Sequence, residues 1–575
     1  MRFCCDVPAM LASLDLERED DSPVLTWLDE SRKVPTEFWT EVYRHAQRGV
    51  TLHSRRNTHY DLYLDLIERH CGSGHSALVW YERGTLRSLS YDELATRASR
   101  CAESWARRKV LAGQRLALAL PFGPEFLVAF AAMLHLGSCI TVLDSVPANA
   151  TFRQFRASRA SLLVTDRLQG VAPDSAILLQ VSTEGRPRAT RSHVYQPREA
   201  CWSIVSPLQT EPSVAVSARD AFDSMLADAL FALRLDAGSR FAAPGWSRRQ
   251  CQPSLLCACL LAGCTYVHLT LDDLRANPAL LGDADLSCLG LSAELLSALG
   301  DRTDPLPGLR HLTKGVDEPL DWSHYQSFLA RRQLTRVHCS NLLIDAAAGG
   351  CLLFSARRKG SFSARVLPAA GRPFTLSDLA TGQPQAGTTA GVFQVDSAPP
   401  AATSTAPVAT LGQGLALLVP RGSEWFYGGT VVPRRGSHRF PTAEVVASVK
   451  ATRGVLDACV VPLARPNPRG SWSFYLLVFV DPSACSSFAA RVEGILASEI
   501  GPEGIPDRTE IIPYRPRRIN RELDVSWYER RYQTRVGDAL GRHPTSRTLS
   551  MLRARLSASD SVQRSPSQRE VGTTC

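Results

Sequence analysis

The sequence has no apolar run long enough to span a bilayer. The longest, near Leu127–Leu143, is broken by His135 and Gly137, and a spanning helix needs ~20 apolar residues. No membrane span is therefore expected. A secretory leader is not legible either: the chain opens Met1-Arg-Phe-Cys-Cys-Asp6 and soon reaches a mostly acidic run, Glu17 to Asp21. The two absences together set a cytoplasmic expectation. Cysteine is present, but paired spacing is missing. The 16 cysteines, among them Cys4, Cys5, Cys257, Cys259 and Cys264, form no CxxC pair. Cys257-Ala-Cys259 is tighter than a zinc knuckle, and no His-x-x-x-His follows. Buried or inert thiols are expected, without metal or a disulfide framework. Nucleic-acid motifs are also lacking. The net charge of +9 (65 basic minus 56 acidic) sits partly in Arg515–Arg518 and Arg530-Arg531. A modest excess of this kind reads as a solvated face, and no nucleic-acid partner is expected. No internal repeat is visible.

What is present is an ordinary globular composition, 44% hydrophobic and 21% charged over 575 residues. That length holds two to four domains at roughly 150 residues each. Its core is large enough to need no disulfide. Thr36–Gln47 and Tyr60–Arg69 read as helices. Ala77–Trp80 reads as a strand. Ser90-Tyr-Asp-Glu93 reads as a capping box, opening a helix that carries Leu94, Ala98, Cys101, Ala102 and Trp105 at helical spacing. A strand at Leu116–Leu120, a helix at about Glu125–His135 and strands at Cys139–Leu143 and Ser161–Asp166 follow. Residues 167–200 read as irregular. Helical pieces are expected at Ala227–Leu233 and Leu255–Leu261, and a strand at Thr265–Leu269. Short strands punctuated by proline and glycine cover 366–440. A smaller unit then holds a helix at Glu444–Ala451, strands at Asp457–Leu463 and Phe474–Val480, and a helix at Ser486–Ser498. Strands alternating with helices predict a largely parallel α/β sheet.

Several of these pieces resemble one family. Leu89-Ser-Tyr-Asp-Glu-Leu94, Ala112-Gly-Gln-Arg-Leu116, Pro121, Leu136-Gly137 and Val142-Leu-Asp144 stand in the order and spacing of the adenylate-forming (AMP-binding) ligases. That superfamily holds the acyl-CoA synthetases, aryl-acid ligases and peptide-synthetase adenylation domains. Gly371-Arg-Pro373, Gly382-Gln-Pro384, Gly387 and Gly391 resemble its later turns. Arg435–Val445, Val455–Val461, Ile505-Pro506 and Arg517-Arg-Ile-Asn-Arg521 resemble its C-terminal lid. The resemblance covers about residues 60–530. It implies an α/β fold: a large two-subdomain N-terminal domain and a small α/β lid. The expected division is an extension over 1–55, the large domain over 56–432, the lid over 433–535 and a disordered tail over 536–575.

The resemblance also implies ATP, Mg²⁺, a carboxylic acid and a thiol acceptor. Such ligases join a carboxylate to AMP and pass the acyl group on. Glycines must wrap the triphosphate, because only backbone without Cβ approaches it closely. An acidic residue helps hold Mg²⁺, and a lid lysine stabilises charge as the carboxylate attacks. The phosphate loop should fall at Val205-Ser-Pro-Leu-Gln-Thr-Glu-Pro-Ser213. Ser206 and Pro212 match the family pattern. Both glycines and the lysine are replaced, Pro207 removes a donor amide, and Glu211 adds charge of the wrong sign. Asp345 stands where the metal-binding glutamate is expected, in the otherwise apolar Asn341–Asp345. Ala409–Gly414 has no ribose-binding aspartate. Gly428–Val432 lacks the hinge arginine and acids. Arg518 stands at the lysine position, keeping charge but not the compact ammonium.

Asp220, Asp223, His311 and His324 show no triad or metal spacing, His268 reads as a core histidine, and Gly349-Gly350 is too short for a phosphate loop. Five altered ATP-contacting elements point to a ligase-like protein of a biosynthetic pathway with lost or strongly impaired adenylation. It would bind an acyl or aryl acid, a carrier protein or a partner ligase. The alternative is an active ligase, passing the acid to CoA or to acyl carrier protein, with Arg518 and Asp345 in a rebuilt site.

Overall fold

The structure is a computed structural model. It describes residues 7–14, 31, 33–47, 51–143, 148–166, 177–188, 190–205, 214–246, 253–316, 318, 322–345, 349–363, 365–372, 374–378, 384–385, 391–395, 416–421, 424–430, 434–435, 438–440, 442–464, 472–481, 488–501, 504–519, 522–523, 528 and 531–532.

Helix α1 (Pro35–Ala46) buries Phe38, Trp39, Val42 and Tyr43. The expected helix at Tyr60–Arg69 is only Leu62–Leu66, followed by a single 3₁₀ turn. Asp65 explains the interruption. Its buried carboxylate accepts from His53 N at 2.8 Å and Ser54 N at 2.7 Å, and Ile67 leaves helical geometry at φ −130°.

β1 (Ser76–Glu82) and β2 (Thr85–Ser90) form a hairpin. Helix α2 (Tyr91–Arg107) starts where Ser90 accepts from Glu93 N at 3.1 Å. The Glu93 carboxylate lies 3.7 Å from Arg97, so one half of the capping box is in place. All five residues read as its core face are buried. β3 (Arg115–Leu118), α3 (Pro124–Leu136) and β4 (Cys139–Val142) come next. Pro124 suits the first helical turn, where no amide partner is lost. Gly137 ends α3 at φ 78°, and a Cβ there would lie 2.2 Å from His193. Only glycine serves both as left-handed cap and as close contact.

β5 (Leu162–Val164), β6 (Ile177–Leu179), β7 (Ala200–Ile204) and β8 (Val214–Ser217) complete the first sheet, in the order β6-β5-β3-β4-β7-β8. All neighbours are parallel except β7 and β8. β6 lies in the stretch read as irregular; three residues are too few to show a period.

Helix α4 (Ala218–Ala227) follows and continues as a π-helical turn, Asp228–Ala232. The second sheet is built from β9 (Arg240–Ala242), β10 (Thr265–His268), β11 (Cys288–Leu291), β12 (His311–Gly315), β13 (His338–Asp345) and β14 (Gly350–Phe354). Its connecting helices include α5 (Ser254–Ala262), α6 (Ala293–Leu299) and α7 (Trp322–Arg331). The order β14-β13-β12-β11-β9-β10-β1-β2 is parallel from β13 to β1 and antiparallel at both ends.

One core joins residues of α2, α3, α4, α5 and the first sheet. Burying each large apolar side chain contributes roughly 1.5–3 kcal/mol. A second core lies under α6, α7, β11 and β12. Beyond β14 the sheet runs on through Arg365–Pro368, Glu424–Thr430 and further short antiparallel strands to Pro384–Gln385. A separate three-stranded sheet, Val455–Ala464, Trp472–Val480 and Arg508–Ile512, packs on helices Thr442–Lys450 and Phe488–Glu499. These match the smaller unit read from the sequence to within two residues at most boundaries. The 11 free cysteines among the described residues are buried, Cys71 only partly. No described helix is long and apolar enough to cross a membrane.

Candidate functional site

In a parallel α/β sheet, ligands enter outside the carboxyl ends of the strands, where successive connections leave to opposite sides. Both sheets have such a point. In the first, β4 lies on one side of β3 and β5 on the other. In the second, β10 and β11 flank β9 in the same way.

At the second point, the turn leaving β9 is Ala243-Pro-Gly-Trp246. Trp246 donates from Nε1 to Leu291 O at 3.0 Å. Ser292, just beyond β11, caps α6 by accepting from Leu295 N at 3.0 Å. Next along the edge, Lys314 donates to Gly315 O at 2.9 Å and Glu318 O at 3.3 Å. Burial lowers its pKa to about 8, with Glu318 acting against the shift. The Glu318 carboxylate accepts from Ala293 N at 2.8 Å. Lys314 and Glu318 thus tie the exit of β12 to the start of α6.

A second polar group lies beside β14, built from residues far apart in the sequence. Asp223 of α4 accepts from Tyr43 at 2.9 Å and from Arg56 at 3.0 Å. Burial raises the Asp223 pKa, while Arg56 and Tyr43 lower it. One turn on, Asp228 accepts from Cys351 N at 3.1 Å with both oxygens. Burial lifts its pKa to about 7, against Arg372 and the Cys351 amide. Arg372 also donates to Ser224. The pair Gly349-Gly350 belongs to this group, not to a phosphate loop. A Cβ on Gly350 would lie 2.3 Å from Asp228 Oδ2, and one on Gly349 would lie 3.2 Å from Ser224 Oγ. Partners 123 to 180 residues apart leave no local signal. The π turn at Asp228 is a feature often found at functional positions.

The residues singled out from the sequence are scattered. Ser206 and Pro212 lie outside the described residues, as do 409–414. Ile204 and Val214, on either side of Ser206 and Pro212 in the sequence, pair across β7 and β8. Asp345 is the last residue of β13, opposite Gly350. Arg518 opens a two-residue strand paired with Glu522-Leu523, so it stands on a different sheet from Asp345. Gly428–Thr430 closes a strand. His268 is half-buried, its ring 4.9 Å from that of Phe122. His311 is buried and bonded to Ser340 Oγ at 2.7 Å, and burial lowers its pKa to about 3. It joins no described triad.

Residues 67–223 match the AMP-binding enzyme family. Among solved structures, a double mutant of o-succinylbenzoate CoA synthetase from Bacillus subtilis, bound with a product analogue, superposes with a TM-score of 0.64 at 14% identity. The match covers 82% of this chain and 98% of that one. An acyl-CoA synthetase from Brucella canis gives a TM-score of 0.52 at 15% identity, over 83% of this chain and 95% of that one. The fold is that of the adenylate-forming ligases. No curated protein matches by sequence.

This fold implies ATP and Mg²⁺, so the donor set matters. The hairpin loop between Ile204 and Val214 contains no glycine and no lysine, two prolines without amides, and one glutamate. The two prolines remove two donor amides, and the glutamate carries the sign opposite to that of a phosphate-binding lysine. Among the described residues, no cluster of three or more His, Cys, Asp or Glu could hold a metal. Without glycine or lysine, the stretch between Ile204 and Val214 departs from the phosphate-loop pattern that the resemblance implies.

Proposed function

We propose that this protein is an acyl- or aryl-acid ligase homologue with lost or strongly impaired adenylation. It serves a biosynthetic pathway in the cytoplasm by binding an acyl or aryl acid, a carrier protein or a partner ligase. The observation that carries this reading is the β7–β8 loop: a ligase fold with a phosphate loop that has neither glycine nor lysine. Losing one donor adjusts a site. Losing the backbone geometry and the cation together removes the electrostatic stabilisation that phosphoryl chemistry depends on. The division at about residue 432 between a large domain and a lid belongs to the same proposal.

A second reading is an active ligase passing its acid to CoA or a carrier protein. Arg518 favours it, since it keeps a cation at the lid position, and Asp345 favours it by supplying a carboxylate at the end of β13. Pyrophosphate exchange over a panel of aryl and fatty acids, with ATP calorimetry on the same protein, separates the two. The first reading expects neither exchange nor ATP binding, with acid or carrier binding retained. Tight ATP binding with exchange would sink it.

A further inference from the structure

We propose that Cys259 and Cys264 form a redox-sensitive dithiol, a modification site that hydrogen peroxide closes to a disulfide across the end of α5. The helix ends in a left-handed glycine cap. Gly263 takes φ 71°, its N–H donates to Leu260 O at 3.0 Å, and Cys264 N donates to Cys259 O at 2.9 Å. This pair of bonds folds the chain back so that the side chains at the two ends of the cap meet. In α3 the same cap, with Ser138 N on Met133 O at 3.0 Å, places a methionine and a serine at these positions. In α5 it places two thiols there, and Cys259 is hydrogen-bonded to Cys264. With standard bond lengths, the 2.9 Å bond holds the two Cα atoms within about 6.8 Å, the usual outer limit for a disulfide.

The neighbouring thiols are placed less well. Cys257 is two residues from Cys259, on another side of the helix. Cys288 opens β11, and its Sγ lies 3.6 Å from His311 Nδ1. Both cap thiols are fully buried, and burial, together with the Cys264 contact, pushes the Cys259 pKa up. The closed protein therefore holds little thiolate, the form that reacts. The gate is the turn Glu68–His70, which lies over the cap. Arg69 donates to Leu261 O, and a Cβ on Gly263 would lie 2.8 Å from His70 Nδ1. Arg69 and His70 are half-buried, so lifting this turn is a local opening that leaves the sheets in place. In the open form one thiolate attacks peroxide, giving a sulfenic acid and hydroxide, which leaves as water with the thiol's proton. The second thiol attacks that sulfur, the S–S bond forms and a second water leaves. The two electrons pass from the sulfurs to the O–O bond. In a reducing compartment the dithiol is the resting form.

The test exposes the full-length protein to graded hydrogen peroxide and blocks the remaining thiols with N-ethylmaleimide in denaturant. Reduction, iodoacetamide labelling and fragmentation mass spectrometry then map the oxidised positions. Cys259 and Cys264 are expected to move together, by equal fractions, from the maleimide to the acetamide label, while Cys257 and Cys288 keep the maleimide. Dithiothreitol added before the block should restore both. Intact wild type should lose two hydrogen masses, a loss that Cys259→Ser and Cys264→Ser should each abolish. Arg69→Ala removes a bond from the cover and should speed the reaction roughly tenfold. Thermal unfolding checks that the variants fold, and the wild-type map stands without them. Both thiols still carrying maleimide after excess peroxide that leaves the protein folded, or Cys264 paired with Cys257 or Cys288, would overturn the proposal. An unchanged rate in a folded Arg69→Ala would overturn the gate.

Discussion

Replacing Asp228 by asparagine should abolish a loss of stability that sets in as pH rises. The carboxyl is 2% exposed. Burial outweighs Arg372 and the Cys351 amide and raises the pKa from 3.8 to about 7. Between those values the native protein keeps a proton that the unfolded chain has released. The stabilisation is therefore fully present below about pH 4 and is lost as pH climbs through about 7. Integrating the linkage for these two values gives a loss of ~3 kcal/mol between about pH 5 and pH 8. Asparagine does not titrate, but its amide oxygen can still accept from Cys351 N. The attraction of Arg372 for the ionised carboxylate is already contained in the shift, so the variant itself should be nearly flat over this range. Urea unfolding of both proteins in steps from pH 5 to pH 8, followed by two probes whose transitions coincide, gives the difference directly. Wild type should fall by ~3 kcal/mol relative to Asp228→Asn. Parallel curves, or a wild type that gains on the variant as pH rises, would refute the burial argument.

Other substitutions probe the same framework. Gly350→Ala puts a methyl 2.3 Å from Asp228 Oδ2 and should cost ~1–3 kcal/mol by overpacking; a double-mutant cycle with Asp228→Asn should show coupling, since the two groups touch. Gly371→Ala sits at φ +66° with its new Cβ 2.6 Å from Phe38 Cε1, so a similar ~1–3 kcal/mol loss should come with faster proteolysis of residues 1–47. Arg56→Ala leaves Asp223 buried without its cation, 3.0 Å away in the native protein, and should cost ~3 kcal/mol in denaturant unfolding. Tyr43→Phe removes the hydroxyl that donates to Asp223 at 2.9 Å and also bonds Tyr60, and should cost ~1–2 kcal/mol in the same measurement.

How far the sequence carries depends on how local the cause is. The segment Leu116–Asp144 was legible because strand, helix and strand each show their pattern within a few residues. Pro124 and Gly137 mark the ends of α3, and Phe126 to Leu136 fill its inside. Ser90 was legible as a cap for the same reason. The helix expected over Tyr60–Arg69 failed at Asp65, whose carboxylate serves amides at residues 53 and 54, so a contact outside the window overrode the periodicity. The Asp223–Arg56 and Asp228–Cys351 contacts bridge 167 and 123 residues; no pattern of spacing encodes them. Gly349-Gly350 was visible, but its reason was not, because the atoms that require glycine there belong to α4 and its π turn.

The same distinction bears on how a ligase fold can lose its nucleotide chemistry. Ile204 and Val214 pair across β7 and β8, and the sequence between them is the stretch proposed as the phosphate loop. Gly137 and Gly290 are different: a Cβ at either would lie under 3 Å from a neighbour, and substitution there is resisted by packing whether or not ATP is used. A chain released from adenylation would therefore shed the glycines and lysine of the loop while retaining those of the scaffold. The proposed loss of adenylation expects this pattern: no glycine and no lysine between Ile204 and Val214, with Gly137 and Gly290 retained.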